Sequence, residues 1–418
     1  MRLRCLRILA ISTVLLLCAV LPFSSAYSAP SSSVLGLNNA FGSDPMTTRA
    51  FDWQTTSAGN NVLQYEAGGG NDTFSVSGAV TVKANQTAFI TDDGKRYVHK
   101  IELSGLQPGT SYLYRVSDGS GGYSGVYHFR TEAANISQFS FLTFSDTQAT
   151  TQKQYSEYFA NSLSTALKNF PDTAFILHTG DIVDNGSTEK KQWDYFFGAV
   201  QDILPNLAFE PVSGNHDGEL GGTANFLNHF DLPVSNYSFV YGDCLLLVLD
   251  TNGDMHSQIT WLQNTIKENS SVKWRIVALH KGPYGGIHAN DSDVVVLRKE
   301  LPPVLDKCGI DLVLAGHDHA YMRSYFMSNG KVVQNNGANG VYENPQGIPY
   351  IVTGACGPKT YPVYLKNWTG QTWVPPQSEI NSPSKKLFDE ITVTSTYLEI
   401  NVLTTDLQKV DALKIVKK

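Results

Sequence analysis

Five short clusters in this chain hold side chains that can bind a metal ion or move a proton. They are Asp146-Thr147-Gln148, the run from Gly180 through Asp181 and Asp184 to Gly186, Gly214-Asn215-His216-Asp217, His280 with Lys281-Gly282-Pro283, and Gly316-His317-Asp318-His319. Singly, each has an ordinary structural use: a strand-end Asp often caps a helix, and Gly-Asn-His often turns the chain. Two histidines set two apart among small residues make a better metal pattern. Jointly, the carboxylates and imidazoles form a mixed donor set suited to Fe, Mn or Zn. Two such ions about 3.5–4 Å apart bind phosphate oxygens, acidify a shared water and stabilise a leaving oxygen. The reaction this suits is hydrolysis of a phosphate ester, with Asp181 expected to bridge the ions.

Short apolar runs separate these clusters. Phe139–Phe144, Ala174–Leu177, Leu245–Leu249, Arg275–Leu279, Leu312–Ala315 and Tyr350–Thr353 read as buried strands, each followed by polar residues. Between the first two, Tyr155, Phe159, Leu163, Leu167 and Phe170 recur at steps of three or four and predict a helix. In such an α/β layout, ligand-binding groups gather where strands end. The alternating tail, Glu390–Val393 and Tyr397–Val402, predicts closing antiparallel strands.

Residues from about Ser31 to Arg130 follow another grammar, of short alternating segments broken by turns, which predicts an antiparallel sandwich. Leu106 to Val116, with its Pro-Gly turn and its tyrosines, resembles the corresponding turn and strand of fibronectin type III modules. His99 and His128 read there as strand residues, without chemistry. Ahead of it all, Arg2, Arg4 and Arg7 precede the uncharged run Ile8–Leu21 and the small residues Ser24–Ala29, the layout of a signal peptide. The expected division is therefore 1–29 signal, 30–131 sandwich and 138–418 catalytic domain. That predicts a secreted or extracytoplasmic protein with no membrane span after signal removal.

The chain is 418 residues long with 17% charged residues and a net charge of −7. Losing the signal removes three positive charges and no negative ones, taking the charge from −7 to −10. Such a balance argues against a general nucleic-acid or anionic-membrane binder, and no nucleic-acid groove is indicated. The expected partner is a small phosphate ester; the oligomeric state is left open. Three cysteines, Cys244, Cys308 and Cys356, lie beyond the signal, so at least one stays unpaired within the chain.

Together the five clusters resemble those of the calcineurin-like metallophosphoesterase superfamily, and Gly316 to Ser324 resembles the signature of its purple acid phosphatase branch, whose members also carry a fibronectin-like domain. The resemblance implies an α/β (α+β) four-layer metallophosphoesterase sandwich preceded by an all-β immunoglobulin/fibronectin III-like sandwich. It implies two metal ions (Fe, Mn or Zn). Asp146, Asp181 and His319 would hold the first, and Asp181, Asn215, His280 and His317 the second. By the same resemblance His216, oriented by the Asp184 carboxylate, contacts phosphate or protonates the leaving group, Asn215 and His288 face substrate, and Arg323 pairs behind the site. Two departures stand out. Asp184 occupies the position of the tyrosine that colours the purple enzymes, so this protein should not be purple, and Gln148 stands where many relatives have His, as a weak ligand or water holder.

The implied activity is monoester hydrolysis by metal-bound hydroxide, as in acid phosphatases. A phosphodiesterase or nucleotide-hydrolysing activity is the alternative within the superfamily. The alternative of another class is a non-catalytic surface-binding protein with a degenerate phosphatase fold.

Overall fold

The computed structural model describes residues 33–69, 72–219, 222–334, 340–361 and 385–418. The expected signal segment, 1–29, lies outside them. Eight strands, β1 (Val34–Ala40), β2 (Arg49–Thr55), β3 (Val62–Ala67), β4 (Val80–Lys83), β5 (Asn85–Thr91), β6 (Gly94–Leu103), β7 (Ser111–Val116) and β8 (Tyr127–Arg130), form two antiparallel sheets. Their orders are β1-β2-β6-β5 and β4-β3-β7-β8. Alternation buries Phe51 and Trp53 from one sheet against Leu63, Tyr112, Tyr114 and Phe129 from the other. The Pro-Gly turn foreseen before β7 is closed by Tyr112, whose hydroxyl accepts the Gln107 N–H at 2.8 Å. His99 is buried, stacked on Trp53 and bonded to Thr55, as expected of a strand residue.

Beyond Thr131 the strands are β9 (Gln138–Phe144), β10 (Thr173–His178), β11 (Ala208–Pro211), β12 (Tyr237–Tyr241), β13 (Cys244–Val248), β14 (Trp274–Lys281), β15 (Leu312–Gly316), β16 (Met322–Arg323), β17 (Phe326–Ser328), β18 (Lys331–Gln334), β19 (Val341–Glu343), β20 (Tyr350–Val352), β21 (Leu387–Thr394), β22 (Tyr397–Thr404) and β23 (Lys409–Val416). Two mixed sheets result, ordered β11-β10-β9-β21-β22-β23-β19 and β12-β13-β14-β15-β20-β16. All six predicted apolar runs fall on these strands. The tail strands do more than close the domain: β21 pairs with β9 and extends the first sheet.

Side-chain alternation makes four layers. On β13, β14 and β15, Leu246, Val248, Ile276, Ala278, Leu312 and Leu314 join the core shared with the first sheet. Their neighbours Leu245, Leu247, Val277, Leu279, Val313 and Ala315 pack instead with Leu262, Ile266, Leu297 and Leu305 from helices on the outer face. On β9, Phe141 stacks on Phe175 in the inner core, while Phe144 meets Phe159 of the opposite helical layer. That layer holds the predicted helix as three contiguous pieces, Gln152–Tyr155, a π-helical turn Ser156–Ala160, and Asn161–Asn169. Cys244, Cys308 and Cys356 are all free.

Candidate metal centre

Parallel pairing of β9 with β10 and of β14 with β15 sends their chains out at common edges, and the five clusters lie at strand ends or just beyond them. Hydrogen bonds tie the loops together: Asp146 N–H donates to the Gly180 carbonyl at 3.0 Å, and Gln148 N–H to that of Asp181 at 3.1 Å. Two glycines permit the close approach. A Cβ on Gly214 would lie 2.1 Å from the Asp181 nitrogen, and one on Gly316 would lie 2.1 Å from Ser145 Oγ. Asp146, Asp181, His317 and His319 all have positive φ, between +50° and +76°. Four such residues in one place, each costing of order 1 kcal/mol or more, mark a site whose geometry the fold enforces.

Three sets of donor atoms converge among the described residues, one of them His288, Asp291 and His317, and the other two share Asp181. Asp181, His280 and His317 offer atoms within 4.8 Å of one another, and so do Asp146, Asp181 and His319. His280 Nε2 lies 3.2 Å from Asp181 Oδ1 and 3.1 Å from Asn215 Oδ1, and His319 Nε2 lies 3.4 Å from Asp146 Oδ1. Both rings are oriented from behind. Nδ1 of His280 bonds the Thr179 carbonyl at 2.8 Å, and Nδ1 of His319 the Lys359 carbonyl at 3.0 Å. A carbonyl only accepts, so the ring proton of each neutral imidazole sits on Nδ1 and the Nε2 lone pair faces the carboxylates, the arrangement metal-ligating histidines adopt.

Lone pairs and carboxylates aimed at one buried point repel unless positive charge lies among them. Burial opposes charge at His280, but Asp181 and Asp146 push its imidazole up to about 9. Burial likewise raises Asp181, yet His280 and His216 hold its carboxyl well below the carboxylate range. His317 is driven down to about 2 by burial and by the neighbouring imidazoles. Gln148, buried, donates to Asp181 Oδ2 at 3.2 Å and leaves its own Oε1 without a partner. The donor chemistry and this orphaned oxygen fit a pair of cations.

Residues 35–131 match the purple acid phosphatase N-terminal domain, and residues 139–321 match the calcineurin-like phosphoesterase family. The chain belongs to the calcineurin-like phosphoesterases, in their purple acid phosphatase branch. Mouse (Mus musculus) acid phosphatase type 7 is 25% identical over 82% of this chain and 83% of its own length. Purple acid phosphatase 15 of Arabidopsis thaliana is 24% identical over 62% of this chain and 53% of its own. A purple acid phosphatase from yellow lupin (Lupinus luteus) seeds shares the fold, with a TM-score of 0.75 and 17% identity, covering 92% of this chain and 75% of the lupin one. The protein is a metal-dependent phosphoester hydrolase of a family that generally binds two metal ions.

Around the paired donors this phosphoesterase arranges further groups. His216 is half-buried, with Nε2 3.9 Å from Asp181 Oδ2. Its Nδ1 meets the main-chain carbonyl of Asp184 at 2.6 Å, while the Asp184 carboxylate lies 3.7 Å away. Asp184 therefore orients the imidazole through its backbone and not, as expected, through its carboxylate. That carbonyl only accepts, so the proton of the neutral ring sits on Nδ1 and Nε2 is the nitrogen left toward Asp181. His288 packs on His317 with ring centroids 4.3 Å apart and bonds Asp291 at 2.9 Å. Arg323 pairs with Asp411 at 2.7 Å, behind the site as expected.

Asp217 and Asp318 stand in the clusters with no role expected from the sequence. The buried Asp217 carboxylate accepts N–H bonds from Ile182, Val183 and Gly214 at 2.9–3.1 Å, locking two site loops to each other. Asp318 does the same for the His288 loop, accepting from Gly286, Ile287 and His288. Lys359 was missed altogether, although the strand-end rule applied to β20 pointed to its loop. Its Nζ lies 3.3 Å from His216 Nε2.

Proposed function

We propose that this protein is an exported, dinuclear phosphomonoesterase. What supports it most is the sharing of Asp181 between two donor sets, each within 4.8 Å, at the ends of strands from both sheets. Asp146, Asp181 and His319 would hold one ion, and Asp181, Asn215, His280 and His317 the other, with Gln148 as an added weak donor. When bound, the ions supply Lewis acidity toward phosphate oxygens, an acidified water and charge stabilisation at the leaving oxygen.

The chain's own residues do the rest. The Asp181 carboxylate fixes the spacing of the two sets. Thr179 and Lys359, through their carbonyls, keep His280 and His319 in the liganding tautomer. Asn215 and His288 line the substrate side. His216, held at Nδ1 by Asp184, presents Nε2 as the atom through which a proton would pass to the leaving oxygen. Residues 30–131 serve as a sandwich without chemistry, 138–418 as the catalytic domain, and 1–29 as the export signal. No described helix is long and apolar enough to cross a membrane.

Rates on an aryl monophosphate and the matching bis-aryl diester, with the full chain loaded with Mn, Zn or Fe, test this reading. Faster monoester hydrolysis is expected. A diester rate well above the monoester rate would overturn the assignment.

A further inference from the structure

We propose that Lys359 binds the phosphoryl group of the substrate and makes this site prefer phosphate monoesters, which carry two negative charges, over diesters, which carry one. The proposal rests on the phosphoesterase reading above and adds a residue that selects the substrate class.

Backbone contacts, not the lysine side chain, hold the loop that bears Lys359. Cys356 N–H donates to the Ser145 carbonyl at 2.9 Å and Gly357 N–H to that of Asp146 at 3.0 Å. Gly357 allows this approach, since a Cβ there would lie 2.7 Å from the Asp146 carbonyl oxygen. The Lys359 carbonyl then orients His319. Its side chain runs to the other flank of the centre, where Nζ meets His216 Nε2 at 3.3 Å. One residue thus joins a candidate metal-binding histidine to the candidate proton donor and sets a cation beside the centre.

Among the described residues the ammonium has only loose partners. An ammonium offers three donors. Here one meets a histidine nitrogen, the Asp184 carboxylate pairs with it only at 3.9 Å, beyond hydrogen-bond length, and the Tyr361 ring centroid lies 5.8 Å away. Two other described cations are already satisfied: Lys281 bonds Glu219 at 2.7 Å and Asp293 at 2.8 Å, and Arg323 bonds Asp411 at 2.7 Å. Lys359 is a third exposed, open to an incoming anion yet near the centre. A monoester dianion keeps a charged oxygen for this ammonium after the metals have taken theirs. In a diester that position holds an ester oxygen, a poor partner for a cation.

Lys359→Gln and Lys359→Arg in the metal-loaded full chain test the proposal. Measured would be kcat and KM for an aryl monophosphate and its bis-aryl diester at pH 7.5, inhibition by inorganic phosphate, and metals per chain. Lys359→Gln should lower monoester kcat/KM roughly tenfold to a hundredfold, the cost of one charged hydrogen bond, chiefly through KM. Phosphate inhibition should weaken in step, the diester should change less than about threefold, metal content should hold, and Lys359→Arg should retain most monoester activity. Equal losses on both substrates, a fall in metal content, or unchanged phosphate inhibition would overturn it and leave Lys359 a counter-ion of Asp184. If the wild type hydrolysed neither ester, calorimetry of inorganic phosphate binding would still decide: weaker binding to Lys359→Gln supports the contact although the proposed reaction has failed, and equal binding refutes it.

Discussion

Asp181 takes part in two donor sets, so its replacement tests both at once. Asp181→Asn keeps the shape and loses the charge; bound metal should fall from two ions per chain to one or fewer and turnover should disappear, while circular dichroism stays that of the wild type. Unchanged activity would refute the shared role. His216→Asn should lower kcat by roughly 10²–10⁴-fold for an alkyl phosphate, whose leaving oxygen needs a proton, and far less for a nitrophenyl ester, which departs without one. Equal losses on the two would remove His216 from proton transfer. At this scale the candidate donors were legible because Asp, Asn and His stand in short clusters after apolar runs. Lys359 was not, because its function depends on a loop 40 residues beyond His319 folding back across the centre, a contact no local spacing encodes.

Strand ends and the loops between them set the geometry of the site. Gly214 is where this is tightest: a methyl group would collide with the Asp181 nitrogen at 2.1 Å and with its Oδ1 at 2.2 Å. Gly214→Ala should therefore displace Asp181 or Asn215, costing about 1–3 kcal/mol of stability and the ability to load two metals. Melting curves and metal content check this, and a variant that loads normally would show the loop to be more yielding than its packing indicates. The apolar runs made the buried strands legible, since a continuous hydrophobic stretch between polar turns suits a strand covered on both faces. The order of the strands was not. β21 inserts beside β9, and the two sheets share a core through Phe141, Phe175 and Tyr241, residues from strands far apart in sequence.

Across the whole molecule, the sandwich is bonded to the segment that leads into the site. Arg96 Nη2 donates to Asp194 at 2.7 Å, Tyr114 to the Pro205 carbonyl at 2.6 Å, and Phe41 N–H to the buried Glu210 carboxyl at 2.7 Å. None of these pairs carries a sequence signal. Burial pushes Glu210 up to about 7, against the Phe41 N–H and Arg49, which lower it. The folded protein therefore keeps this proton to higher pH than the unfolded chain, whose carboxyl titrates near its ordinary 4.5. Its contribution is most favourable below 4.5, declines as pH rises to about 7 and then levels off. Glu210→Gln retains the acceptor for Phe41 without the titration, so its melting temperature should gain a few degrees on the wild type between pH 5 and pH 8. A difference that stays constant with pH would show that Glu210 remains ionised.

Charge also reads differently at this scale. The chain carries −7 overall, yet two divalent cations against Asp146 and Asp181 would make the centre locally positive, the sign a phosphate requires. Elemental analysis of the reconstituted full chain tests that directly. Two metal ions per wild-type chain, falling to one or fewer in Asp181→Asn, is the expected result; well under one ion per wild-type chain after exposure to Mn, Zn or Fe would contradict it.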